Sequence, residues 1–169
     1  MATVNAMQSK AKISEVNTGI EGKDRKELAA SLGRALAETY VLYLKTQGFH
    51  WNVVGPMFYG MHKLSEAQYQ DLAVAVDDLA ERIRALGHPA PATFVKFLEL
   101  SQIKEMAGAP SAEESIRALV SDHETISRTF RDAVQVADDD DDIVTADMLT
   151  DRIKFHEKAA WMLRSTLSK

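Results

Sequence analysis

Cysteine is absent from the 169-residue chain, which excludes disulfides, thiolate metal sites, iron–sulfur clusters and cysteine nucleophiles; any metal chemistry must rest on His, Asp and Glu. Proline is scarce, with four in all, so long stretches run without a helix breaker. No apolar run approaches the roughly 18 residues needed to span a bilayer, and Met1 to Asn17 has no basic segment followed by an apolar one. A cytoplasmic protein with no membrane partner is the expectation. Positive charge is in deficit, and a formal net charge of -5 argues against a broadly basic surface that coats nucleic acid. What is present is 46% hydrophobic and 27% charged, the make-up of one globular domain with a full core.

The long stretches carry helical periodicity. Asp24 with Glu27 has the spacing of a capping box, and Leu28, Leu32, Leu36, Tyr40, Tyr43 and Leu44 follow at helical spacing, predicting a first helix over residues 24–53. Gly48 within it suggests close packing or a bend. A second helix can start at Pro56 and run to a stop at Gly87, with Leu72, Val76, Leu79 and Ile83 facing the core. Residues 88–110 read as a crossover holding a short helix at Phe94 to Leu100. Ser111 with Glu114 is a second capping box, opening a helix that ends near Ala137; the aspartates Asp138 to Asp142 make a self-repelling turn before a last helix. The fold class is all-α: a ferritin-like four-helix bundle over residues 24–169, with an extra short helix in the long crossover and residues 1–23 as a flexible tail.

Candidate chemistry starts from the five histidines. The residues three before His50, His62, His88, His123 and His156 are Gln47, Tyr59, Ala85, Val120 and Ile153, so the Glu-x-x-His pair of a bundle-centred di-iron site is missing. His-Glu-x-x-His and glycine-rich phosphate loops are missing as well. His123 and His156 lie on apolar faces and read as hydrogen-bonded core residues. On the second helix, His62 with Glu66 and Asp77 with Glu81 are both i,i+4 pairs able to chelate. At 1.5 Å per residue His62 and Asp77 lie roughly 22 Å apart, so one ion cannot touch both pairs of one chain. The two pairs are disposed symmetrically about the point between Asp71 and Leu72, so an antiparallel two-fold copy of the helix would bring them together; any two such pairs share this property. Their helix face points away from the core and also carries Tyr59, Ala73 and Val74, more apolar than a wet face, which suggests a subunit interface. The competing reading is a solvated surface: Asp78 with Arg82, Glu81 with Arg84 and Glu66 with Lys63 have ordinary helical spacing. Asp77 has no such partner, only Glu81, a repulsion of about 0.2–0.5 kcal/mol that a cation or a second chain would relieve. His50 is open to either a capping or a ligand role.

His50-Trp51-Asn52 followed by His62, Glu66, Asp77 and Glu81 at these spacings closely resembles the Dps family of mini-ferritins, the DNA-binding proteins from starved cells. The resemblance covers FHWNVVGPMFYGMHKLSEAQYQDLAVAVDDLAERI, Thr145-Ala146-Asp147 after the acidic turn, and the closing HEKAAWMLRS. It implies a homododecameric hollow cage that oxidises Fe(II), preferably with hydrogen peroxide, and stores Fe(III) mineral, with no organic cofactor, protecting against oxidative damage. It also implies an inter-subunit ferroxidase site, with His50, His62 and Glu66 from one subunit and Asp77 and Glu81 from its neighbour, serving as ligands and catalytic residues. Glu66 departs from the family's usual Asp and lengthens one ligand arm. Imidazole and carboxylate suit both oxidation states of iron, and two adjacent ions can pass two electrons to peroxide together, avoiding the one-electron step that releases hydroxyl radical. Trp51 is either a bulky interface residue or a quencher of stray oxidising equivalents. The comparable family region lines three-fold pores, making Asp147, and less closely Asp142, candidate iron-binding pore residues that focus negative potential; a solvated loop is the plainer reading. Residues 1–23 carry Lys10, Lys12 and Lys23 against Glu15 and Glu21, so any DNA binding rests on the avidity of many weak arms. The alternative function is a non-enzymatic cage that shields DNA by condensing the nucleoid.

Overall fold

The structure, a computed structural model, describes residues 16–167. Helix α1 spans Gly22–Asn52, α2 Phe58–Ala85, α3 Phe94–Leu100, α4 Ala112–Asp139 and α5 Ile143–Arg164, with no strand among the described residues. The expected all-α bundle is present. Helix α1 packs against α2 and α4, α4 packs against α5, and α3 rides on α1 within the crossover. Leu32, Leu36, Leu72, Leu79, Ile126 and Phe130 are fully buried between the helices. Each such side chain contributes about 1.5–3 kcal/mol through the apolar surface it removes from water.

Helix ends show where local signals succeed. Ser111 accepts from the Glu114 N–H at 3.2 Å while the Glu114 carboxylate accepts from the Ser111 N–H at 2.8 Å, the expected capping box. The Asp24–Glu27 box does not form. Helix α1 begins at Gly22 with Glu21 as its N-cap, which leaves Asp24 inside the first turn, favourable to the helix dipole without capping it. Pro56 also falls outside α2: Gly55, at φ +97°, opens a turn closed by the Phe58 N–H to the Gly55 carbonyl at 3.0 Å, and α2 starts at Phe58. Gly48 has open space where a Cβ would stand, so close packing is not its reason.

The aspartate run is not one solvated turn. Asp138 and Asp139 continue α4, Asp141 takes a left-handed backbone at φ 55°, and Asp142 caps α5. Buried Asp142 accepts from the Thr145 N–H at 3.1 Å and its hydroxyl at 2.6 Å, and from Arg82 of α2 at 2.6 Å. Burial pushes its carboxyl up, but the hydrogen bonds from Arg82 and Thr145 hold it below the usual range. Arg82 is therefore spent on Asp142 and Thr145 rather than on Asp78. The crossover is pinned from inside the bundle: the Glu38 carboxylate accepts from the Gln102 N–H at 3.2 Å, and Lys45 donates to the Lys104 carbonyl at 2.9 Å while pairing with Asp122.

Candidate metal centre

The end of α1 and the start of α2 meet at two histidines. Their rings stack with centroids 3.8 Å apart and planes 19° from parallel. His50 Nδ1 lies 2.9 Å from the His62 carbonyl, and His62 Nδ1 lies 3.0 Å from the His50 carbonyl. A carbonyl oxygen only accepts, so each Nδ1 carries a proton, and in the neutral ring it is Nε2 that keeps the lone pair. A histidine that ligates a metal through Nε2 needs this tautomer, and a backbone carbonyl is a usual way to hold it. The turn at Gly55 lets the two helices exchange these bonds over only 12 residues. Phe58 stacks on His62 at 5.1 Å and Tyr69 meets His50 edge-on at 5.1 Å, giving the pair aromatic walls.

Glu66 stands one turn beyond His62. Its carboxylate binds the Lys63 ammonium at 2.7 Å, and that hydrogen bond, then the Lys63 charge, hold its carboxyl below the usual glutamate range. The structure thus brings His50, His62 and Glu66 to one end of α2 and leaves Asp77 and Glu81 exposed farther along it. No group of three or more His, Asp or Glu able to hold a metal ion occurs among the described residues. Within one subunit these five candidate residues are two separate half-sets.

Large apolar side chains are exposed around the half-sets. Trp51 is 62% exposed, Tyr59 73% and Val74 62%. Asn52 does not reach Trp51; it donates back to the Gly48 carbonyl at 2.7 Å. Asp147 is exposed on α5, whereas Asp142 is buried in its cap and ion pair. His123 and His156 are hydrogen-bonded core residues as expected, Nδ1 to Nδ1 at 2.9 Å. The sequence patterns assign Tyr69 to neither core nor site. Its position seven residues after His62, two helical turns along the same face, was the available signal.

Residues 29–169 match the ferritin-like domain family. The chain is 39% identical over 140 residues to a DNA protection during starvation protein of Brevibacillus brevis, covering 83% of this chain and 94% of that one. The chain belongs to the Dps family. A Dps protein of Vibrio cholerae O1, described as one of a broad superfamily of ferritin-like diiron-carboxylate proteins, superposes with a TM-score of 0.85 at 32% identity, covering 90% of this chain and 97% of that one. A low temperature-induced protein of Nostoc sp. is 41% identical over 152 residues, covering 89% of this chain and 85% of that one. Dps membership assigns the chain generally to iron storage and DNA protection. No helix among the described residues is long and apolar enough to cross a membrane.

Proposed function

We propose that this Dps protein is a ferroxidase that stores iron: it oxidises Fe(II), preferably with hydrogen peroxide, deposits ferric mineral inside a dodecameric cage, and so protects the cytoplasm from oxidative damage. The observation that carries the reading is the His50–His62 pair. Two imidazoles held in the ligand tautomer, with a carboxylate one turn away, make half of an iron site; Asp77 and Glu81 of a two-fold neighbour make the other half. Carboxylates arriving from the second subunit balance the charge that iron gains on oxidation. The apolar face bearing Trp51, Tyr59 and Val74 supplies the surface that such a contact buries. Trp51 packs at this interface. Exposed Asp147 lines the pore that admits Fe(II), and Asp142 shapes the same helix start from behind.

Inter-subunit sharing is tested by complementation. A His50→Ala, His62→Ala subunit and an Asp77→Ala, Glu81→Ala subunit are each expected to oxidise Fe(II) at the uncatalysed rate. Co-expressed, a mixed two-fold pair contains one intact site, and random pairing restores about a quarter of wild-type activity. Failure of the mixture to regain activity, with both subunits in the assembly, overturns the shared site. An anaerobic Fe(II) titration with no saturable stoichiometry would instead favour a purely structural cage. DNA condensation depends on arms of which residues 1–15 lie outside the described residues. A mobility shift at two salt concentrations tests it, and a steep loss of binding with salt is the expected result.

A further inference from the structure

We propose that the bundle core between α2, α4 and α5 binds a small monovalent anion of the chloride type, held by Arg152, Gln68 and the His123–His156 pair. None of these residues is a proposed iron ligand, so the inference stands apart from the iron reading. Buried polar atoms in folded proteins almost always find a partner, and here a group of them on three helices does not. Arg152 of α5 donates through Nη1 to Asp71 of α2 at 2.6 Å, while its Nε and Nη2, the edge that forms a guanidinium fork, are sealed and without a partner among the described residues. The guanidinium lies 4.4 Å over the Phe155 ring, and that ring meets His156 edge-on at 5.2 Å and His123 at 6.2 Å. Arg152 therefore flanks the histidine pair. The Asp71–Arg152 and Arg82–Thr145 bonds run in opposite directions along α2 and α5, so the two helices are antiparallel. Gln68, one turn before Asp71, then falls level with His156, one turn after Arg152. Gln68 is buried, and neither its amide oxygen nor its amide nitrogen has a partner among the described residues.

The chemistry of these atoms selects the ligand. Burial, and in part the Arg152 charge, keeps both imidazoles neutral at pH 7. Their Nδ1 atoms, 2.9 Å apart, share one proton, so the rings hold opposite tautomers: one Nε2 carries a proton and the other is bare. The unpartnered donors are thus the Arg152 fork, the Gln68 amide N–H groups and one imidazole N–H, against the Gln68 oxygen and one bare nitrogen as acceptors. Donors outnumber acceptors, and one donor carries a full charge. Water offers as many protons as lone pairs and leaves the surplus unmet, whereas an anion only accepts. A cation would face the guanidinium with a single imidazole lone pair to hold it. The side chain of Asp71 is 41% exposed, so solvent screens its hold on Arg152 and leaves the inner edge of the fork free for a buried partner. All the unpartnered atoms are closed off from solvent, so the site takes nothing much larger than a single ion, which enters where Asp71 and Arg152 part.

The test uses bromide, a chloride substitute that scatters anomalously. Crystals of the full chain soaked in sodium bromide and measured at the bromine absorption edge should show an anomalous peak within hydrogen-bond reach of Arg152 Nη2 and Gln68 Nε2. Density there with no anomalous peak is water and overturns the proposal, as does an empty site. In solution the melting temperature of the wild type should rise with bromide at fixed ionic strength, balanced with gluconate, which is too large for the site. Gln68→Leu, which keeps an apolar core, and Arg152→Lys, which keeps the charge but not the fork, should each abolish that rise. An equal rise in all three proteins overturns the site, and so does a crystal peak without any rise in solution, which marks binding at crystal concentration only. If Arg152→Lys fails to fold, Gln68→Leu and the crystal decide.

Discussion

His123 and His156 face each other from α4 and α5 with both Nε2 atoms sealed in the bundle and no hydrogen-bond partner, whereas the Nε2 atoms of His50 and His62 stay free for a ligand. Burial, then the nearby Arg152 charge, pushes His123 down to about 3, and burial, His123 and Arg152 hold His156 well below its ordinary value. The folded protein refuses a proton that the unfolded chain accepts near pH 6.5, so stability is complete above that pH and drains away as pH falls towards 3. The slope approaches about 1.4 kcal/mol per pH unit for each histidine. Urea midpoints should therefore drop between pH 7 and pH 4.5, and a His123→Phe, His156→Phe double variant should show a shallower drop. Equal slopes would mean that other groups control acid unfolding.

The helix ends carry separable contributions. Ser111→Ala should cost about 1 kcal/mol, since it removes an exposed cap and strands no buried charge. Asp142→Ala should cost more, about 3–5 kcal/mol, because Arg82 would keep its charge in a half-buried place without its partner and α5 would lose its cap. Asp141→Gly should raise the melting temperature by the equivalent of about 0.5–1 kcal/mol, because a Cβ is disfavoured at φ 55°. Thermal melts of the three variants check the ranking. The Ser111 cap was readable because both partners lie within one turn. Asp24 with Glu27 had the same local pattern and failed because α1 begins two residues earlier, and the Arg82–Asp142 bond joins positions 60 apart, which no local pattern reports.

For the whole molecule the outward face of α2 is decisive. Val74→Glu touches no ligand and lies on an exposed surface of the subunit, so the isolated fold should keep its helicity and melting behaviour. Placed in an apolar contact, the charge would have to be desolvated without a partner, so size-exclusion chromatography should show smaller species and Fe(II) oxidation should fall with them. An assembled, fully active Val74→Glu protein would put the contact elsewhere.

The sequence alone determined the helices, their order and the core stripe, because periodicity and capping act within a few residues. It also nominated the His and carboxylate side chains proposed to bind iron, since chemistry resides in residue type and spacing. Only the tertiary structure decided how those groups are poised: the carbonyl exchange that sets the tautomers of His50 and His62, the withdrawal of Asp142 into an ion pair with Arg82, and the edge-on contact of Tyr69 with His50. Each depends on where separate helices cross. Crossing geometry is set by the packing of many side chains at once, and no short stretch of sequence encodes it.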